Sequence, residues 1–329
     1  MGIRTAVIGV GHLGRQHARI HAELAAGGQC EFASVCDLDE MRATTIGREW
    51  NVAPTMDWRS LIGKVEAVSL AVPTESHCDI ACALLEAGIH VLVEKPISRT
   101  LEEADQMISA AKRANAVLQV GHAERFNPAL IALRPQVNNP VYFEIHRVGQ
   151  FTPRSLDIDV VLDLMIHDLD IVQWLVGEEV PVTEVHAVGI PILTNRVDAA
   201  NARIEFATGA VANITASRVG TEKIRKMRFF QPRDYVVVDY LNNYASISNL
   251  APSTSSPWPG VHTQVLEVKT IEPLRAEIQS FLDASTTNGP PIVSGEDGRR
   301  ALDLALRTLK QIEEHTVKIG ANSPSEVLR

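Results

Sequence analysis

The chain has 329 residues, 45% of them hydrophobic and 22% charged, the balance of an ordinary globular protein and more chain than one core usually serves. A formal net charge of -9 opposes non-specific attraction to nucleic acid or to anionic membranes. No run approaches the roughly 18–20 uninterrupted apolar residues that span a bilayer.

The opening stretch MGIRTAVIGVG lacks the long apolar segment and cleavage site of a signal peptide, so a soluble, cytoplasmic protein is expected. From residue 3 to about 122, short apolar runs alternate with amphipathic segments. Strands are predicted at Ile3–Ile8, Glu31–Cys36, Ala67–Val72, His90–Glu94 and Val117–Gly121. Each of the first four is followed by helical spacing, as in Glu102–Ala114, where Ala104, Met107, Ile108 and Ala111 recur at three- and four-residue steps. This alternation implies βαβ units and a Rossmann-type, doubly wound parallel sheet over residues 1–122. The four cysteines, Cys30, Cys36, Cys78 and Cys82, are too few for a disulfide scaffold. Cys78 and Cys82, one helical turn apart, read as buried apolar residues rather than metal ligands, and no metal is expected.

Residues 123–329 have a different texture. Helices are predicted at Asn127–Val137 and at Val160–Val176, the latter stopped by Gly177. Strand-like runs follow at Val141–Val148, Thr183–Val188, Ala199–Phe206, Ala210–Ser217, Ile224–Phe230, Tyr235–Asp239 and Tyr244–Ser248, with a hairpin turn at Ala207-Thr208-Gly209. Short connections make this an α+β domain with a large, open, mostly antiparallel sheet. Pro252–Gly260 reads as a surface loop, and helices at Pro273–Thr286 and Glu296–His315 close the chain. An open sheet has a face that needs cover, so a homodimer or homotetramer built on it is expected.

The segment Gly9-Val10-Gly11-His12-Leu13-Gly14 places G-x-G-x-x-G between a strand and a helix. There Gly9 permits a tight turn, Gly11 lets backbone approach a pyrophosphate, and Gly14 lets helix pack on strand. Asp37, at the end of the second strand, suits the ribose hydroxyls and repels a 2′-phosphate, which favours NAD over NADP; a helix N-cap is its other reading. Pro73, Thr74 and His77 follow the third strand, on the side where ligands bind in such sheets.

Glu94-Lys95-Pro96 closes the fourth strand on that same side. A lysine ending the apolar run VLVEKP needs a reason, because burying an ammonium is costly unless it is paired. Farther on, Asp163 and His167 stand four residues apart, on one helix face, where a carboxylate can orient an imidazole. Asp168 and Asp170 read as the solvated side of that helix.

Gly9–Gly14, Glu94-Lys95-Pro96, Gly121 with Arg125-Phe126-Asn127-Pro128, and Asp163-x-x-x-His167 occur in the order found in the Gfo/Idh/MocA oxidoreductases. The chain resembles that family over nearly its whole length. The resemblance implies Lys95 and His167 as catalytic pair with Asp163 beside them, and late helices packed back on the first domain. It also implies a small-molecule sugar as substrate. One departure is Met165, where many members carry glycine; it is expected to reshape the substrate pocket. Gly121 through Pro128, with Pro153-Arg154-Ser155 and the run VVLDLMIHDLDIV, resembles a bacterial branch that oxidises nucleotide sugars, UDP-N-acetylglucosamine at C3, toward lipid A. That branch would use His122, Arg125, Asn127, Arg147 and Arg154 for substrate, the arginines serving the pyrophosphate. A free sugar or cyclitol such as myo-inositol, a retained NADP acting as an internal hydride shuttle, and a non-catalytic NAD-binding regulator stay open as alternatives.

Overall fold

The computed structural model describes residues 2–152, 158–251 and 260–318. Met1–Phe126 and Glu272–Leu302 form one unit. Its strands are β1 (Arg4–Ile8), β2 (Glu31–Cys36), β3 (Ala53–Thr55), β4 (Ala67–Leu70), β5 (His90–Glu94) and β6 (Leu118–Gly121). They form a parallel sheet in the order β3-β2-β1-β4-β5-β6. The order reverses direction on either side of β1, and that switch is where a crevice opens beyond the strand ends. β4 and β6 are buried at every residue, as strands covered on both faces must be. The unforeseen β3 is three residues long and contains Pro54, a combination that periodicity misses and that an edge position tolerates.

Helices α1 (His12–Ala26), α2 (Glu40–Trp50), α3 (His77–Glu86) and α4 (Leu101–Ala114) follow β1, β2, β4 and β5. Their ends are written locally. Asp39 caps α2 and Thr100 caps α4 through side-chain acceptors, while Asn51 and Asn115 close them in left-handed conformation. One face of the sheet is covered by α1 together with α7 (Pro273–Thr287), where Ile20, Leu24, Leu92, Ile278 and Phe281 share a core.

Asn127–Ile271 and Asp303–Arg329 form the second unit. It opens on α5 (Pro128–Leu133), shorter than the predicted Asn127–Val137 because Pro135 cannot continue the α-helical ladder, and the chain tightens into a 3₁₀ turn at Arg134–Gln136. β7 (Tyr142–Gln150) is followed by a π-helical turn at Val161–Met165 and by α6 (Ile166–Val176), closed by Gly177. Then come β8 (Val182–Ile190), β9 (Ala199–Phe206), β10 (Val211–Gly220), β11 (Ile224–Gln231), β12 (Asp234–Asp239), β13 (Tyr244–Ala251) and β14 (Gly260–Val265). The eight strands order as β14-β13-β12-β11-β7-β10-β9-β8, antiparallel except for β7 with β10. Gly209, at φ +84°, makes the β9–β10 turn. The predicted loop Pro252–Gly260 lies outside the described residues except at its last position, which begins β14. All six residues of β14 are exposed, so no buried face marks it in the sequence. The last helix, α8, runs Gly295–Lys318. Among the described residues no helix is long and apolar enough to cross a membrane.

Candidate active site

The turn after β1 is shaped by missing side chains. Gly9 adopts φ +81°, and a Cβ there would stand 2.6 Å from the Ala71 carbonyl oxygen. A Cβ on Gly14 would lie 1.7 Å from the Gly9 oxygen, so α1 rests on the turn at a distance only glycine allows. Gly11 differs: a Cβ there would meet nothing within 4 Å. Its backbone opens to a cleft of about 890 Å³ lined by Gly9, Gly11, Asp37, Val72 and Pro73 among others. A dinucleotide fits this cradle, and Gly11 and the N-terminus of α1 would hold its pyrophosphate.

Asp37 is held rather than free to cap. Its carboxylate accepts from Val10 N (2.9 Å) and Asp39 N (3.0 Å), and Arg42 Nη1 stands 3.3 Å from both oxygens. The cap of α2 is Asp39. His12 lines an adjoining recess with Arg15 and Arg42, Leu13 is 40% exposed, and Thr74 begins a short 3₁₀ turn. The sequence reading missed the cleft's other wall: Leu38, Met56, Trp58 and Ile80, with Arg59 stacked 4.3 Å from the Trp58 ring. No motif marks these residues; Leu38, Met56 and Trp58 come from turns and Ile80 from α3.

His77 is corrected. It was expected to bind cofactor, but its ring is 1% exposed, is not among the cleft-lining residues, and faces backbone carbonyls. Glu94 is buried too, its Oε1 2.8 Å from His17 Nε2. Burial opposes its charge, but the His17 bond and the attraction of His17 and Lys95 outweigh that and hold the carboxyl below its ordinary range. His17 was also missed, although it falls one turn after Gly14 on the buried face of α1. Lys95 stands half-buried where β5 ends, and the Lys95–Pro96 peptide is cis.

In the second unit Asp163 lies within the π-helical turn and His167 in the first turn of α6; both are half-buried. A π turn inside a helix often marks a functional position. The turn is anchored from its N-terminal side. Val160 N donates to Val197 O (2.8 Å) and Val197 N to Asp159 Oδ1 (2.9 Å). Next to it, Asp198 accepts from Ile192 N, Leu193 N and Thr194 N at 2.6–2.9 Å. Burial works against the Asp198 charge, yet those donors hold its carboxyl below the usual range.

Three expectations for this region change. Met165 is fully buried in the core rather than facing an open pocket. Asp168 and Asp170 are 0% and 1% exposed rather than solvated. Arg147 is occupied: it forms a two-pronged pair with Asp168, Nε–Oδ2 2.7 Å and Nη2–Oδ1 2.8 Å, at 2% exposure. In the first unit Arg125, 3% exposed, stands 3.3 Å from Asp297. His122 is wholly buried, and Asn127 caps α5 through Ala129 N. Arg154 lies outside the described residues.

Residues 3–122 match the model of an oxidoreductase family with an NAD-binding Rossmann fold, and residues 136–231 match the GFO/IDH/MocA C-terminal domain. The chain is 40% identical to the UDP-N-acetylglucosamine 3-dehydrogenase of Acidithiobacillus ferrooxidans, over 94% of this chain and 97% of that protein. A solved structure of a UDP-N-acetylglucosamine 3-dehydrogenase from that organism superposes with a TM-score of 0.88 at 38% identity, covering 95% and 99% of the two chains. The myo-inositol 2-dehydrogenase of Thermotoga maritima is 27% identical over 95% of this chain and 97% of that protein. A levoglucosan dehydrogenase in complex with NADH and levoglucosan has a TM-score of 0.85 over 95% and 98% of the chains at 21% identity, which shows the fold alone.

Proposed function

We propose a function from one premise: this chain belongs to the Gfo/Idh/MocA family and is an NAD-dependent oxidoreductase acting on sugar hydroxyls. Within that class its substrate is a nucleotide sugar, UDP-N-acetylglucosamine, oxidised at C3 to the ketone. The observation that carries this reading is the 40% identity to a UDP-N-acetylglucosamine 3-dehydrogenase, which extends through both units, against 27% to a cyclitol enzyme of similar coverage.

NAD, when bound in the Gly9–Gly14 cradle, supplies the hydride acceptor. The chain's part is to bring the carbinol up and take its proton. Lys95 and His167 divide that work: one accepts the hydroxyl proton as hydride leaves the carbon, and the other polarises the same oxygen. Asp163, one turn before His167, fixes the imidazole. Asp37 would receive the ribose hydroxyls of bound NAD, and its carboxylate disfavours a 2′-phosphate. Replacing Lys95 by alanine is expected to lower kcat by about 10²–10⁴-fold while NAD still binds.

The substrate's pyrophosphate needs cations. With Arg125 and Arg147 engaged by Asp297 and Asp168, Arg154 is the arginine of the three that we retain for it. The decisive assay is NADH formation across UDP-sugars with and without the 2-acetamido group, beside myo-inositol. Turnover confined to free cyclitols would overturn the nucleotide-sugar reading.

Two further features complete the proposal. The open face of the eight-stranded sheet carries an aromatic row, Tyr142–Phe230–Tyr235, with ring centroids 6.0 and 5.0 Å apart and Phe230 43% exposed. This supports a homodimer or homotetramer through that sheet, to be checked by light scattering. All four cysteines are free thiols, which fits a reducing cytoplasm.

A further inference from the structure

His77 has an unusual position for the first residue of a helix. Such side chains commonly face solvent, yet its ring is 1% exposed. Its Nε2 lies 3.0 Å from the Val72 carbonyl oxygen, and its Nδ1 lies 3.1 and 3.3 Å from those of Pro96 and Ile97. Every one of these partners is a backbone acceptor.

These carbonyls belong to segments the sheet no longer holds. The register of β4 with β5 runs from Ala67–His90 to Leu70–Val93 and stops there. Val72 lies two residues beyond the last pair on one strand, and Pro96 three beyond it on the other. The strand exits need their own connection, and the imidazole spans them. One end of the span, Val72, lines the nucleotide cleft. The other follows Lys95 directly, at a turn whose Pro96 and Ile97 are buried.

We propose that His77 is a positioning residue for Lys95: its ring ties the exit of β4 to the Pro96–Ile97 turn and so fixes where the lysine's backbone stands against the nucleotide cleft. The ring touches neither cofactor nor substrate. A neutral imidazole has one N–H and donates to one side at a time, and burial pushes this histidine's pKa down despite the three carbonyls and the pull of Glu94. Its hold therefore combines one donated hydrogen bond with burial of the ring. The inference rests on Lys95 being catalytic, so the test treats the two separately.

The variants are His77→Phe, which keeps a ring and removes both nitrogens, His77→Gln, which keeps one donor, Lys95→Ala, and Lys95→Ala with His77→Phe. NAD reduction is followed with UDP-N-acetylglucosamine, or with whichever sugar the substrate panel shows to be turned over, and NAD affinity by fluorescence. His77→Phe should lower kcat by about 10–100-fold, the scale of a small misplacement of a reacting group, with KM and NAD affinity little changed. His77→Gln should recover part of the loss. The double variant should be no slower than Lys95→Ala, because the histidine acts through the lysine. A large loss of NAD affinity at unchanged kcat would make the ring a cofactor contact and overturn the proposal. Additive losses in the double variant would overturn it equally. Wild-type turnover by Lys95→Ala would refute the catalytic reading whatever His77 does. Should His77→Phe melt early, His77→Gln decides: a lowered kcat at unchanged KM supports the positioning role, and wild-type kcat overturns it.

Discussion

The first unit shapes its glycine turn by leaving side chains out, and the second supports the turn that carries Asp163 and His167 by burying charges beside it. At Gly9 and Gly14 a methyl group would collide with backbone, and at Gly11 it would project into the cleft. Around Asp163 and His167 the supports are polar: the Asp159–Val197 clamp, the three amides on Asp198 and the Arg147–Asp168 pair. A glycine turn tolerates few substitutions, and its failure shows first in ligand affinity. A buried ion pair tolerates loss of neither partner, and its failure shows first in stability.

The largest effect expected from this contrast is on Arg147. Replacing it with methionine leaves Asp168 buried without its bidentate partner, which should cost about 3–5 kcal/mol and show as a lowered melting temperature. A raised KM at unchanged melting temperature would instead return Arg147 to substrate binding. Next comes Gly11→Ala. Because nothing of the protein lies within reach of the new methyl, the variant should melt like the parent yet bind NAD about tenfold more weakly, a loss near 1.4 kcal/mol. Parallel losses in folding and binding would show that the turn itself depends on Gly11, as it does on Gly14.

A pH series sharpens the contrast within the first unit. Glu277 on α7 is fully buried, and neither of its carboxylate oxygens has a hydrogen-bond partner. Burial, with Glu94 nearby, pushes its pKa well up in the folded protein. A group raised on folding stabilises fully below its unfolded pKa, and that contribution is lost as pH climbs toward the folded value. Glu277→Gln removes the titration, so the variant should gain in melting temperature on the parent between about pH 5 and pH 8. A constant difference across that range would show Glu277 to be ionised already. The smallest effect is on Arg42, whose half-exposed contact with Asp37 is worth at most about 1 kcal/mol. Arg42→Ala should leave NAD affinity nearly intact, since Val10 and Asp39 still hold the carboxylate, and should weaken any use of NADP.

Much of this was legible because it is local. The glycine spacing at 9, 11 and 14 states its own backbone geometry, and β2, β5 and β9 follow runs whose burial is written in their residues. What escaped depends on partners distant in sequence. Nothing near Arg147 announces Asp168 beneath it, so a buried pair read as one cation for substrate and one solvated acid. His77 read as a ligand-side residue because the Pro96 and Ile97 carbonyls come from another strand. The π turn at Val161–Met165 is equally silent, since its apolar spacing passes for an ordinary helix.

The place of β7 has a consequence for how the chain is made. It lies inside the eight-stranded sheet between β10 and β11, so Tyr142 pairs with Val211 and with Phe230. A ribosome therefore delivers this strand long before either neighbour, and the helix bearing Asp163 and His167 emerges over a sheet that does not yet exist. Nascent chains arrested short of Val211 should be cut readily by protease and those released past Gln231 should resist, a late commitment expected of distant pairings.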